Sequence, residues 1–376
     1  MLDLLITLFR NLFSQTGLAH FTWGHLVMIG VGTTMVFLAV VKKYEPFLLI
    51  GIGFACIVVN VPGSDLILPG GLFHYAYQGV QLLIIPPMIF LGVGAMTDFG
   101  PMIANPKLVL LGAGAHLGIF VALILAKLMG FSLNEAGAIG IIGGADGPMA
   151  IFVTMKLAPH LLPQVSVAAY SYMALMPLIQ PPVMRLLTTK AERNIHMSQL
   201  RPVSRLEKIL FPIVIAALVN RCFPPVAPLI TMLMLGNLMR EVLLVGRLAE
   251  TAGGTLLSII TIILTVAIGS TMTAETFLTV KTLQIVGLGL VAFVFGTGSG
   301  VVTAKVMNLF LKTKINPLIG SAGIASVPIA ARVSHNVAQQ ENKGLYLIYH
   351  AMGPNLAGVF GTAISGGILL ALLGVR

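Results

Sequence analysis

At 376 residues, 57% hydrophobic and only 9% charged, with a mean hydropathy of +0.98, the chain is too apolar for a soluble enzyme and has the composition of a polytopic membrane protein. Its net charge of +10 does not indicate nucleic acid, because the bases fall in short loops between apolar runs, where the positive-inside rule accounts for them. Cys56 and Cys222 both lie in apolar stretches, which excludes a disulfide framework or a CxxC metal site.

Residues 1–24 alternate Leu, Ile and Phe with Asp3, Arg10, Asn11 and Gln15 at near-helical spacing, which predicts an interfacial amphipathic helix ending at Trp23 and no signal peptide. Apolar runs then predict spans over 25–41, 46–62, 80–96 and 108–129, a broken segment over 132–155, and a span over 162–187. After the polar stretch 188–207 the pattern restarts, with spans over 209–219, 225–239, 254–272 and 283–311, a second broken segment over 316–333, and a last span over 345–375. The halves match in order. Asn60 falls against Asn237, and G-G-A-D-G-P-M-A (143–150) falls against G-I-A-S-V-P-I-A (323–330), pairing Asp146 with Ser326 and Pro148 with Pro328.

Charge orients the halves. A full crossing at 132–155 would deliver Arg185, Lys190, Arg193, Arg201, Arg205 and Lys208 to the outer side, against the positive-inside rule; a re-entrant hairpin keeps them inside. Lys127 and Lys156 run against this assignment. The expected architecture is an all-α polytopic membrane protein, an inverted-repeat transporter-like fold with two re-entrant broken-helix hairpins. Its parts are an interfacial helix (1–24), a first membrane repeat (25–187), a basic cytoplasmic linker (188–208) and a second, inverted repeat (209–376).

Asp146 is the only acid between Glu135 and Glu192. A carboxylate at bilayer depth costs about 2.5 to 3.5 kcal/mol on insertion scales, so it is retained because it binds or carries something. Gly143, Gly144, Gly147 and Pro148 break the helix beside it and free carbonyls, as cation sites in lipid require. If the hairpin tips meet, Asn316, Ser321 and Ser326 of the second segment and Asn355 of the last span complete an all-oxygen site with one carboxylate, suited to Na+ over Ca2+ or Mg2+. Capping is the alternative for Asp146, Asn316 and Ser321. Tyr172 reads either as a functional tyrosine or as an interfacial aromatic. Arg332 either holds a carboxylate or snorkels to the inner surface, and His335, Asn336, Gln339, Gln340 and Lys343 after it line a cytoplasmic entrance. No Walker loop, GxSxG elbow or zinc-spaced histidine pair is present in the sequence. From residues alone this is a cation-coupled transporter.

The motifs G-G-A-D-G-P (143–148), Y-S-Y-M-A-L-M-P-L-I-Q-P-P (170–182), G-N-L-M-R-E (236–241), N-P-L-I-G-S-A-G (316–323), V-P-I-A-A-R-V (327–333) and M-G-P-N-L-A-G-V (352–359) together resemble the β subunit of the biotin-dependent sodium-pumping decarboxylases, which act in oxaloacetate, glutaconyl-CoA or methylmalonyl-CoA decarboxylase complexes. The resemblance implies that carboxybiotin is decarboxylated while Na+ is exported and a proton consumed. It implies Na+ and biotin as cofactors, the biotin carried as carboxybiotin on a separate subunit. Implied partners are an α carboxyltransferase subunit, a biotin carrier (γ) subunit, a small membrane subunit, further copies of the chain and membrane lipid, in the bacterial cytoplasmic membrane. The family's functional residues fall on Asp146, Tyr172, Asn316, Gly320, Arg332 and Asn355. Catalysis is thus expected of Asp146, Arg332 and Tyr172, sodium ligation of Asp146, Asn316, Ser321, Ser326 and Asn355, and carboxybiotin binding of Arg332, Gly320 and Asn336. Family members often carry Ser-Ala where this chain has Ala325-Ser326, and Thr where it has Met149. The compact chain resembles the acyl-CoA form. A sodium-coupled secondary transporter or Na+/H+ antiporter without decarboxylase chemistry is the rival reading.

Overall fold

The computed structural model describes residues 17–374, and every regular element among them is helical. Most of the interfacial helix predicted over 1–24 therefore lies outside the described residues. Among the described residues six helices are long and apolar enough to cross a membrane: Trp23–Val40, Pro106–Leu128, Pro159–Leu187, Leu243–Ser270, Val280–Phe310 and Ile348–Leu372; the pair Leu72–Gln81 and Ile85–Met96, bent by 74°, would make a seventh if it is one broken span. Trp23 begins a helix rather than ending one. Thr22 caps it, its hydroxyl accepting from the His25 N–H while the His25 ring meets the Thr22 N–H at 3.1 Å.

The chain divides into two compact units. The first comprises the residues up to Leu82 together with Ile259–Leu283. It holds α1 (Trp23–Val40), α2 (Pro46–Val59) and α3 (Leu72–Gln81). Asn60, buried at the end of α2, donates to the carbonyls of Cys56 (2.8 Å) and Met272 (2.7 Å) and accepts from the Ala274 N–H (3.0 Å). A polar side chain in an apolar run is here a fully satisfied brace.

The second unit spans Leu83–Ser258 and the chain from Gln284 onward. It holds α4 (Ile85–Met96), α5 (Val109–Ala115), α6 (Leu117–Leu128), α7 (Leu133–Gly140), α8 (Gly147–Leu157), α9 (Leu162–Leu187), α10 (Arg205–Cys222) and α11 (Ala227–Glu241). Helix α12 (Leu257–Ser270) begins in this unit and α13 (Val280–Phe310) ends in it; α14 (Ile329–Glu341) and α15 (Ile348–Leu372) complete it.

Both broken segments are hairpins. In the first, α7 and α8 fold back on each other. A Cβ on Gly137 would come within 2.9 Å of Leu157 Cδ1, and Glu135 at the start meets His160 just past the end at 3.1 Å. In the second, Asn316 at the start donates to the Arg193 carbonyl (2.8 Å), while Glu341 at the end pairs with the Arg193 guanidinium (2.9 Å). One residue of the 188–208 stretch therefore holds both feet of that hairpin. Arg193 is buried, so its charge is used structurally and does more than signal sidedness.

Asp98, in the turn after α4, accepts from the Gly100 N–H (2.9 Å) and from Lys208 (3.0 Å) and lies 3.5 Å from Arg240. Partial burial pushes its carboxyl up, but the Gly100 N–H and the two cations outweigh this and hold it below the ordinary carboxylate value. A depressed folded-state pKa contributes stability that is present above the unfolded value of about 3.9 and lost as pH falls through the folded one. Asp98→Asn should therefore lower the thermal midpoint at neutral pH and flatten its decline below about pH 4. An unchanged acid limb in the variant would remove Asp98 from that role.

Candidate functional site

The first hairpin turns over within a few residues. Helix α7 tightens into a 3-10 turn at Ile141–Gly144, Ala145 reverses the chain in a left-handed conformation (φ 52°), and Asp146 is extended before α8 starts at Gly147. Pro148 sits in the first turn of α8, where its missing N–H costs nothing. Asp146 caps that helix: one carboxylate oxygen accepts from the Met149 N–H at 3.0 Å. The side chain is 6% exposed and has no ion pair among the described residues. Capping and binding do not compete here, because the cap engages one oxygen and leaves the other.

Tyr170 of α9 lies against the same turn. A Cβ on Gly147 would come within 2.3 Å of the Tyr170 ring carbon Cζ and 2.7 Å of its hydroxyl, so only glycine fits. That hydroxyl is buried and has no hydrogen-bond partner among the described residues.

The second hairpin turns through a 3-10 segment, Pro317–Gly323, an extended stretch and the cis Val327–Pro328 peptide. The tips meet directly, the Ala325 N–H donating to the Gly144 carbonyl at 2.9 Å. Asn355 of α15 sits under the second tip, its amide Nδ2 donating to the carbonyls of Ala322 (3.0 Å), Ile324 (2.8 Å) and Ser326 (3.4 Å). These contacts fix the amide's orientation and leave Oδ1 buried with no partner among the described residues. Ser326 is fully buried, its hydroxyl 3.1 Å from Met176 Sδ. Two turns beyond Asn355, Thr362 lies 3.4 Å from the Gly144 carbonyl and 2.6 Å from the ring of the buried His116, at the break between α5 and α6.

The junction therefore gathers Asp146, Ser326 and Asn355 from the predicted set, and adds Tyr170, Thr362, His116 and Met176. The other predicted residues lie elsewhere. Asn316 caps the second hairpin, accepting from the Leu318 N–H (3.1 Å), and its amide is engaged by the carbonyls of Arg193 and Ile195. Ser321 joins the two arms, 2.9 Å from the Ser334 hydroxyl. Gly320 is a packing contact: a Cβ there would come within 2.1 Å of the Gly300 carbonyl of α13. Tyr172 turns to α13, its hydroxyl donating to the Val286 carbonyl and its ring stacking on Phe293. Arg332 and Asn336 lie one helical turn apart on the exposed face of α14, and the Arg332 guanidinium has no hydrogen-bond or ion-pair partner among the described residues.

Chemically, the junction offers one carboxylate oxygen, one amide oxygen, hydroxyls and backbone carbonyls. Hard oxygen donors with a single formal charge suit a monovalent cation.

Residues 24–373 match the family described as the Na+-transporting oxaloacetate decarboxylase beta subunit. The chain is 52% identical to the glutaconyl-CoA decarboxylase subunit beta of Acidaminococcus fermentans, over 99% of this chain and 100% of that protein. It is likewise 52% identical to the methylmalonyl-CoA decarboxylase subunit beta of Propionigenium modestum, over 97% and 98%. Identity to the oxaloacetate decarboxylase beta chain of Haemophilus ducreyi is 45%, over 96% and 97%.

If the junction binds Na+, exchanging K+ for Na+ should raise the thermal midpoint of the wild-type chain. Asn355→Ala should abolish that rise. Tyr170→Phe should leave the midpoint in K+ unchanged or higher, since a buried unpaired hydroxyl costs about 1–3 kcal/mol. A sodium response unaltered in Asn355→Ala would place the ion elsewhere.

Proposed function

The chain belongs to the β subunits of Na+-transporting decarboxylases, multi-pass membrane components of multi-subunit decarboxylase complexes, and from that premise we propose how it couples carboxybiotin decarboxylation to Na+ export. The observation that carries the proposal is the tip-to-tip bond between Gly144 and Ala325, which puts the Asp146 carboxylate, engaged by the Met149 N–H through one oxygen, and the buried, unpartnered Oδ1 of Asn355 beside the same junction.

Na+ enters from the cytoplasm and is held by Asp146, Asn355 Oδ1 and Ser326. Asn316 and Ser321, predicted as ligands, act by fixing the hairpin that presents Ser326, as their hydrogen bonds support. Arg332 is free to hold the carboxylate of incoming carboxybiotin, with Asn336 beside it on the same face of α14. Decarboxylation breaks the bond between the ureido nitrogen and the carboxyl carbon, the electron pair returns to nitrogen, and a proton completes the product as CO2 departs. Proton and Na+ compete for the Asp146 carboxylate, so a proton arriving from outside displaces Na+ outward and is then consumed. Movement of one repeat against the other switches access, in the inverted-repeat arrangement expected from the sequence.

The complex contains an α carboxyltransferase subunit and a biotin carrier, and resides in the bacterial cytoplasmic membrane. Greater identity to the two acyl-CoA relatives than to the oxaloacetate relative favours an acyl-CoA as the upstream substrate.

The test uses the full chain in sealed liposomes supplied with carboxybiotin, following sodium uptake and CO2 release together. Wild type should release CO2 only with Na+ present. Asp146→Asn should lose about 100-fold or more in both readouts, the scale of a lost proton-transfer group. Arg332→Ala should raise the carboxybiotin concentration for half-maximal rate about tenfold, the scale of one charge-assisted hydrogen bond. Sodium moving only down its own gradient, with carboxybiotin intact, would make this a plain transporter.

A further inference from the structure

A second site lies in the same unit, away from the hairpin tips. The turn before α5, the 188–208 stretch and the end of α13 enclose a cavity of about 550 Å3. Its wall carries Lys107, Arg201, Lys312 and Lys314 and no Asp or Glu. Arg201 is matched by Glu207 at 2.7 Å, whereas Lys107, Lys312 and Lys314 form no ion pair among the described residues. The rest of the polar wall is Asn105, Ser198, Gln199, Thr313 and His350, the last near the start of α15. His350 is 7% exposed, lines the cavity, and its Nδ1 has no hydrogen-bond partner among the described residues.

A buried imidazole without a partner is costly unless a ligand completes it. Three unmatched ammonium groups around the same space create a positive potential that no neighbouring acid cancels. Together they call for an anionic, oxygen-rich ligand, and a phosphodiester offers its negative charge on two non-bridging oxygens with two ester oxygens beside them, a tetrahedral set that several ammonium groups can approach from different sides. The rim adds an apolar feature: Phe310, at the end of α13 and in the cavity wall, is 83% exposed. Basic pockets between membrane helices on the cytoplasmic side take anionic headgroups, and these loops carry the Lys and Arg that the positive-inside rule assigns to that side.

We propose that this cavity, walled by Lys107, Lys312, Lys314 and His350, binds a phosphate group, with the phosphodiester of an anionic phospholipid headgroup as its source. The lysines neutralise the phosphate, His350 donates to one of its oxygens, and the acyl chains leave past Phe310 into the bilayer. This goes beyond the sodium chemistry and does not depend on it.

The test strips the full chain of lipid in neutral detergent. It then adds phosphatidylglycerol, phosphatidylcholine or inorganic phosphate, reading the thermal midpoint and the lipid retained by native mass spectrometry. Phosphatidylglycerol should raise the midpoint and be retained, and phosphatidylcholine should do neither. The double variant Lys312→Ala/Lys314→Ala should weaken retention about tenfold or more, the loss of at least one charge-assisted hydrogen bond. His350→Phe, which keeps the ring volume but removes the N–H, should weaken it as well. Because the two lysines are exposed, their variant is expected to fold with an unchanged lipid-free midpoint. Millimolar inorganic phosphate that reproduces the shift and is lost in the same variants supports the phosphate site with a soluble source. No preference for phosphatidylglycerol and no response to phosphate, or equal responses in wild type and the lysine variant, would overturn the proposal.

Discussion

The hydrogen bond from the Ala325 N–H to the Gly144 carbonyl is the contact on which the candidate site depends. Each hairpin interrupts its helix among buried residues, and an unsatisfied buried backbone group costs about 1–3 kcal/mol. Meeting tip to tip lets one supply the donor and the other the acceptor, and the Asn355 amide covers three further carbonyls of the second tip. Helix α8 has 11 residues, so an arm of this hairpin is ~16 Å long, about half of a hydrocarbon core ~30 Å thick. An arm of that length is too short to cross a hydrocarbon core on its own, which is why the segment folds back on itself.

The helical architecture was legible because its signals are local: apolar runs of spanning length, Pro148 beside an isolated acid, and loops whose basic residues forced the chain to turn back at 132–155. The site was legible only in part. Asp146, Ser326 and Asn355 stood out as polar groups in apolar sequence, but so did Asn316, and nothing local says that its amide is already engaged by two carbonyls of a distant linker. Tyr170 and Tyr172 are two residues apart, about 200° around a helix at 3.6 residues per turn, so which of them faces the acid is decided by packing. A close approach at Gly147 selects Tyr170, and one at Gly289 takes Tyr172. Thr362 and His116 gave no warning either. A helical threonine usually bonds back to its own turn, as Thr362 also does to the Gly358 carbonyl, and only the tertiary fold shows it reaching Gly144.

Sidedness and structure use the same residues differently along 188–208. Arg193 read as one basic residue among several in a cytoplasmic linker. In the fold it is buried, paired with Glu341, and bonded through its own carbonyl to Asn316. The linker between the two halves of the chain is therefore part of the second hairpin's foundation. Arg201, Lys107, Lys312 and Lys314, read from the sequence only as signals of sidedness, gather around one cavity in the fold.

The two hairpins are unequally anchored, and this bears on how a pump of this family can switch access. The Arg193–Glu341 pair has a buried guanidinium and a carboxylate 20% exposed, so removing its acid strands a buried charge and costs more than an exposed pair does, and the Asn316 bonds add to that foot. The first hairpin's foot is closed by His160 and Glu135, a pair whose histidine is 63% exposed, and exposed pairs contribute about 0–1 kcal/mol. The direct bond between the tips is a single amide hydrogen bond with a net worth of about 0.5–1.5 kcal/mol. These magnitudes leave out packing: Ala138, Ile139, Met149, Phe152 and Val153 of the first hairpin are fully buried, and their burial carries most of what holds it. The first hairpin is therefore held chiefly by its apolar faces, whereas the second adds a charged foot to such burial, so a movement that switches access has more polar contacts to break at the second.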